Sequence, residues 1–98
     1  MSEFDSTLIR CGRTAVTYAD MVQFAATLED RPIAQLLVEL PDVARLSAAK
    51  FDVATSVLRR RFRNEQPVEQ AQLRIFGSEI AADLDDTSVA RRIRRVFE

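Results

Sequence analysis

The residue type best suited to binding a charged partner in this sequence is arginine, which occurs in two short clusters. The 98-residue chain has 14 basic residues, and eight of them are the arginines Arg59, Arg60, Arg61, Arg63, Arg91, Arg92, Arg94 and Arg95. Guanidinium groups bind carboxylates and phosphates through paired hydrogen bonds, so either cluster could hold an acidic or phosphate-bearing partner. Positive charge also suits helix C-termini, where the helix dipole favours it without any ligand. The sequence leaves both interpretations open.

A run of acidic residues, Asp83-Leu84-Asp85-Asp86-Thr87, precedes the second arginine cluster. The string resembles the nucleophile motif of the haloacid-dehalogenase phosphatases, in which the first aspartate attacks phosphate, the second acts as the acid and base, and both bind Mg²⁺. That motif follows an apolar parallel strand, whereas residues 78–82 have a helical pattern. A calcium loop is excluded because Ser88 and Arg94 stand where such a loop needs Gly and Glu. We therefore predict that these acids lie at the N-terminus of the last helix, where the dipole favours them.

The sequence lacks the residues that several kinds of catalytic site require, which excludes those kinds of catalysis. There is no histidine, so no catalytic triad and no imidazole zinc site can form. The lone Cys11 cannot build a metal cage or an internal disulfide. Gly12 and Gly77 are too far apart to form a phosphate-binding loop. We predict no catalytic residue, no metal site and no cofactor, and therefore a protein that is not an enzyme.

The length and composition are those of one globular domain spanning residues 1–98. Hydrophobic residues make up 47% of the chain and charged residues 30%, with a formal net charge of −1. No apolar run approaches the roughly 20 residues that cross a bilayer, and the first ten residues do not resemble a secretion signal. We expect a cytoplasmic protein without membrane contact.

The local patterns predict a β-hairpin followed by helices. Short β-prone runs on both sides of Gly12-Arg13 predict the hairpin within residues 1–17. Helices are predicted over residues 18–98. Thr17 and Asp20 have the spacing of a capping box and should start the first helix, which ends near Glu29.

Prolines, glycine and serine predict the boundaries of the next three helices. Pro32 is expected as the first residue of the second helix, and Pro41 as its end. The third helix should run from Ser47 to about Asn64. Pro67 should open a fourth helix that Gly77 closes. Two shorter helices are predicted at residues 80–84 and 89–97.

The last two helices are similar to a helix-turn-helix unit, which offers one function. Residues 79–84 would form its supporting helix and residues 88–95 its recognition helix, aiming arginines at DNA. The usual turn glycine is replaced by Asp85, and the spacing is about two residues short of the usual unit. The acids in the turn would also repel phosphates.

Apolar side chains on the second helix offer another function. Residues 33–40 include Leu36, Leu37 and Val38 and carry more apolar surface than one short helix of a small domain needs. We therefore predict that this segment forms a homodimer or partner interface. Phe62, flanked by Arg61 and Arg63, is predicted to be partly exposed and to anchor a partner.

The sequence as a whole predicts a mainly α protein, a compact single-domain bundle of about five short helices with the N-terminal hairpin. Its expected function is that of a small protein–protein interaction module of bacterial or phage origin, such as an adaptor, regulatory subunit or inhibitor, with a protein partner or a second copy. The residues predicted to bind that partner are Leu36, Leu37, Val38, Arg59, Arg60, Arg61, Phe62 and Arg63. The alternative is a DNA-binding regulator that uses Arg91, Arg92, Arg94 and Arg95.

Overall fold

Five helices make up most of the part of the chain that the structure describes. The structure is a computed structural model that describes residues 8–11 and 14–98, with side chains from Thr17 onward. Its elements are β1 (Leu8–Cys11), β2 (Thr14–Thr17), α1 (Tyr18–Leu28), α2 (Ile33–Leu46), α3 (Ala48–Arg63), α4 (Pro67–Ala82) and α5 (Thr87–Arg95). The predicted mainly helical bundle is confirmed.

The two strands pair antiparallel before the first helix. Leu8 lies opposite Thr17, and Cys11 lies opposite Thr14. The turn predicted at Gly12-Arg13 lies outside the described residues. The hairpin as a unit therefore stays a prediction.

The starts of α1 and α3 are held by the side chains that the sequence indicated. The backbone N–H of Asp20 donates to the Thr17 hydroxyl at 3.1 Å, and the N–H of Thr17 donates to the Asp20 carboxylate at 3.3 Å. At α3, the N–H of Lys50 donates to the Ser47 hydroxyl at 3.2 Å. Both predicted caps are confirmed, because a cap depends on residues only three positions apart.

The prediction that Pro41 ends the second helix is wrong, since α2 continues through it to Leu46. Pro32 also stands just before the helix, as its N-cap. A proline inside a helix removes one backbone hydrogen bond and opposes helix formation by about 3 kcal/mol. The turn beyond it carries Val43 and Ala44, which pack against the hydrophobic core. Tertiary packing thus outweighs the local preference of Pro41.

The prediction that Gly77 closes the fourth helix is also wrong, since α4 runs on to Ala82 and the separate helix at residues 80–84 does not form. Gly77 is buried against the ring of Phe97. A Cβ at position 77 would lie 2.5 Å from Cζ and 3.2 Å from Cδ2 of that ring. Glycine at position 77 therefore allows the close contact with the Phe97 ring and does not mark the end of the helix. The helix after it, α5, begins at Thr87 and is capped by Asp86, whose carboxylate accepts from the N–H groups of Ser88 and Val89.

All five helices contribute to one hydrophobic core. Its largest fully buried side chains are Leu37, Leu40, Leu58, Ile93 and Val96. The rings of Phe62 and Phe97 meet edge to face with their centroids 5.0 Å apart, which joins α3 to the residues that follow α5. Phe62 is only 2% exposed, so the prediction that it is partly exposed is wrong. Packing from the C-terminal residues, which lie far away in sequence, covers it.

Candidate anion-binding groove

Parts of the two arginine clusters meet between α3 and α5. A cavity of about 220 Å³ is lined by Thr55, Ser56, Arg59, Arg92, Arg95 and Val96. A second cavity of about 300 Å³ is lined by Ser56, Arg59, Arg60, Arg63 and Asn64. The two cavities share Ser56 and Arg59, and we call them together the arginine groove. Among the side chains that the structure describes, no acidic one lines either cavity, so the groove is complementary to an anion.

Helical spacing places these arginines beside the buried sides of α3 and α5. Arg59 and Arg63 are four residues apart on α3, and Arg92 and Arg95 are three apart on α5, so each pair lies on one side of its helix. The adjoining side of each helix is apolar and buried, with Leu58 and Phe62 on α3 and Ile93 on α5. Because the same core packs the two helices together, it also brings their arginines to one surface.

The arginines of the groove differ in whether a carboxylate of the same chain already forms an ion pair with them. Arg92 forms an ion pair with Asp52 and lies 4.8 Å from the centroid of the Phe51 ring. Arg60 forms an ion pair with Glu29. Among the side chains that the structure describes, Arg59, Arg63 and Arg95 have no carboxylate within ion-pair distance. These three guanidinium groups are the ones available to a ligand.

Arg61 has a structural role, although the sequence grouped it with its neighbours. One terminal guanidinium nitrogen donates to the backbone carbonyls of Leu28 and Arg31, at 2.5 and 2.6 Å. The side chain is half-buried and points away from the arginine groove. It therefore ties the connection between α1 and α2 to the end of α3.

Replacing Arg61 with alanine should lower the free energy of unfolding by about 1–3 kcal/mol, because two carbonyls lose a charged donor. The exposed pair of Arg60 with Glu29 should matter less, and Arg60→Ala is expected to change stability by under about 0.5 kcal/mol. Urea denaturation followed by circular dichroism measures the free energy of unfolding of both variants. Equal stability of the two would contradict the structural role of Arg61.

The residues predicted to form an interface on α2 differ in their exposure to solvent. Leu36 and Leu37 are 3% and 0% exposed and lie in the core, whereas Val38 is 57% exposed. The argument from surplus apolar surface therefore fails for both leucines, because the chain's own core covers them.

On α5, Arg91 and Arg94 are exposed but line neither cavity of the arginine groove.

An exposed apolar strip on α4 escaped the sequence prediction. Val68 and Ile75 are 70% and 63% exposed. The strip, which we call the α4 outward face, consists of Val68, Ala71, Ile75, Ser78 and Ala82, all exposed. The signal was the seven-residue spacing of positions 68, 75 and 82. It was hidden because Gly77 was assigned as the end of the helix.

A cavity of about 550 Å³ between α2 and α4 has a mixed apolar and acidic lining. It includes Ile33 and Phe76 beside Arg61, Glu65 and Glu69. A side-chain hydrogen bond with Glu69 raises the pKa of Glu65, desolvation and the like charge of Glu69 add to the increase, and Arg61 opposes it. This cavity therefore lacks the positive character of the arginine groove.

No protein-family model matches the chain, and neither does any curated protein or solved structure. Within the part of the chain that the structure describes, no helix has the length and apolar character to cross a membrane. The same part contains no cluster of three or more His, Cys, Asp or Glu side chains that could hold a metal ion. The arginine groove and the α4 outward face are therefore the features on which a function can be argued.

Proposed function

We propose that this protein is a small helical interaction module that pairs with a second copy of itself through the α4 outward face. The observation that carries the proposal is that α4 is apolar on two sides. Leu73, Phe76 and Ile80 pack against the core, while Val68 and Ile75 project into solvent. A helix with apolar side chains on two sides is typical of one that is covered on both.

The spacing on the α4 outward face suits a second helix. Val68, Ile75 and Ala82 recur every seven residues, and Ala71 and Ser78 occupy the alternate positions between them. This is the pattern of helices that pack side by side along a seam. The small side chains of Ala71 and Ser78 would let the two backbones approach closely. With 16 residues, α4 offers a seam about 24 Å long.

The charges beside this seam favour a second copy as the occupant. Arg74 lies on one side of the seam and Glu79 on the other, five residues further along. When two such helices pair in parallel, residues with this separation face each other across the seam, so each Arg74 would meet the other copy's Glu79. Within its own chain, the Arg74 guanidinium lies 5.2 Å from the centroid of the Phe62 ring, and its Nε donates to the Phe97 carbonyl at 3.4 Å, so the pair across the seam would replace these contacts.

The expected dimer is weak because the seam is short. Stable interfaces bury about 1,200–2,000 Å² in total, and one pair of 16-residue helices provides an area at or below the lower end of that range. We expect a dissociation constant in the micromolar range and a reversible, concentration-dependent equilibrium.

Sedimentation velocity over a concentration series tests the pairing. Ile75→Glu would place a charge at the centre of the seam, and we expect it to give a monomer with unchanged helical circular dichroism. The matched control is Val38→Glu, at a similarly exposed valine on α2, which should leave the dimer intact. A wild-type chain that stays monomeric at about 100 μM, well above a micromolar dissociation constant, would refute the proposal. Equal effects of the two variants would also refute it.

DNA binding through α5 has less support from the geometry. Arg91, Arg94 and Arg95 are exposed on α5, as a basic recognition helix requires. However, Asp85 and Asp86 precede the N-terminus of α5. Residues at that end of a recognition helix contact the base edges, and carboxylates there would repel the phosphates that flank them.

A further inference from the structure

We infer that the arginine groove binds an acidic segment of a partner protein, in an extended conformation and with Asp or Glu at alternate positions. The groove lies between α3 and α5 and shares no residue with the α4 outward face. The inference therefore does not depend on pairing through α4.

The groove offers mainly hydrogen-bond donors to its ligand. Five guanidinium groups line it, and those of Arg59, Arg63 and Arg95 have no ion pair among the described side chains. The exposed Ser56 lies where the two cavities join and adds a hydroxyl. The Thr55 hydroxyl already donates within α3, to the carbonyl of Phe51 or Asp52, both at 3.0 Å. A carboxylate accepts hydrogen bonds without donating any, so it matches this lining.

One of the guanidinium groups is held in place before any ligand arrives. Arg92 is stacked on the Phe51 ring and paired with Asp52, so its side chain has lost much of its rotational freedom. An arginine ordered in advance loses less entropy on binding than a free one. Arg92 therefore provides an ordered guanidinium group in the same cavity as Arg59 and Arg95.

The spacing along α3 fits an extended peptide. Arg59 and Arg63 are separated by four residues of helix, a rise of about 6 Å. Side chains on one side of an extended strand repeat every two residues, about 6.6 Å. Two acidic side chains at alternate positions would therefore reach the two cavities one after the other, each forming a charge-assisted hydrogen bond.

The same features disfavour nucleic acid in this groove. The Phe51 ring, which contacts Arg92, is buried and offers no surface on which bases could stack. The whole chain carries a net charge of −1, and the exposed Asp83, Asp85 and Asp86 lie at the other end of α5. A duplex is far larger than the groove and would approach these carboxylates, whereas a short peptide would contact the groove alone.

The test is fluorescence anisotropy with a labelled peptide of about ten residues in which Glu and Ser alternate, the repeat of an extended strand. We expect saturable binding, with no binding of the matched peptide that has Gln in place of Glu. The double variant Arg59→Ala/Arg95→Ala should weaken binding at least about tenfold. The control, Arg91→Ala/Arg94→Ala, removes the same charge outside the groove and should change affinity less than about twofold.

Three results would overturn the inference. The first is a failure of the wild-type protein to bind the Glu–Ser peptide at about 50 mM salt, where screening is weak. The second is an equal loss of affinity in the two double variants, which would mean that only net charge matters. The third is tighter binding of a labelled DNA duplex, lost in Arg59→Ala/Arg95→Ala. Ile75→Glu should bind the peptide as the wild type does, so failure of α4 pairing and failure of the groove are distinguishable.

Discussion

Replacing Gly77 with alanine is expected to destabilise the protein by about 1–3 kcal/mol, the usual cost of overpacking a core. In an ordinary helix interior the same change would stabilise by about 1 kcal/mol, because alanine is the better helix former. Here the added Cβ would lie 2.5 Å from Cζ of the Phe97 ring. Either the ring moves and loses its contact with Phe62, or the helices separate. Thermal or urea denaturation measures the effect.

Two further variants test this explanation. Ser78→Ala makes a similarly small change at the next position, which is exposed, and should alter stability by under about 0.5 kcal/mol. Phe97→Leu should destabilise the wild-type protein but cost less in the Gly77→Ala background, because the ring that clashes is gone. Such coupling is what a double-mutant cycle measures. A Gly77→Ala protein more stable than wild type would contradict the close contact.

Replacing Leu37 with glutamate is expected to abolish folding. Leu37 has no solvent exposure and lies in the core with Leu40 and Leu58. An unpaired carboxylate there would lose its hydration without gaining a partner. The milder Leu37→Ala should remain folded while losing about 2–5 kcal/mol of stability, as expected for a large-to-small change in a core. Circular dichroism and urea denaturation measure the two variants.

The neighbouring residue provides the control for this prediction. Val38 is exposed, so Val38→Glu should change the stability by under about 0.5 kcal/mol. A Leu37→Glu chain that folds into a stable monomer would mean that Leu37 belongs to an interface between chains. That result would restore the interface on α2 that the sequence predicted.

The sequence predicted the features of the fold that depend on near neighbours. The caps of α1 and α3 were found because Thr17 and Ser47 bond to groups three residues away. Pro41 and Gly77 were misassigned because each has a strong local preference that tertiary contacts override. The core packs Val43 and Ala44 beyond Pro41, and the Phe97 ring needs the space beside Gly77. Val43 and Ala44 continue the helical spacing of Leu40, a signal that the preference of Pro41 outweighed, whereas the contact of Gly77 with Phe97 has no signal in the surrounding residues.

The candidate site was predictable in residue type but not in arrangement. The arginine clusters were evident as possible anion-binding residues, yet they were assigned to two different functions. Arg59 and Arg95 meet in one groove because α5 packs beside α3, a contact across more than thirty positions of chain. The burial of Leu36 and Leu37 could not be predicted for a related reason. Whether an apolar strip is covered by its own chain depends on helices that lie elsewhere in sequence.

The unequal contacts between the helices indicate which part of the fold unfolds locally. The most extensive helix contacts join α2 to α3 and α4 to α5, while α3 and α5 touch less. Helices packed in this way can separate as cooperative units without global unfolding. We expect the amide protons of α4 and α5 to exchange with solvent together, before those in the middle of α3. Each such opening moves Arg95 away from Arg59, so an anion held by both would slow the exchange.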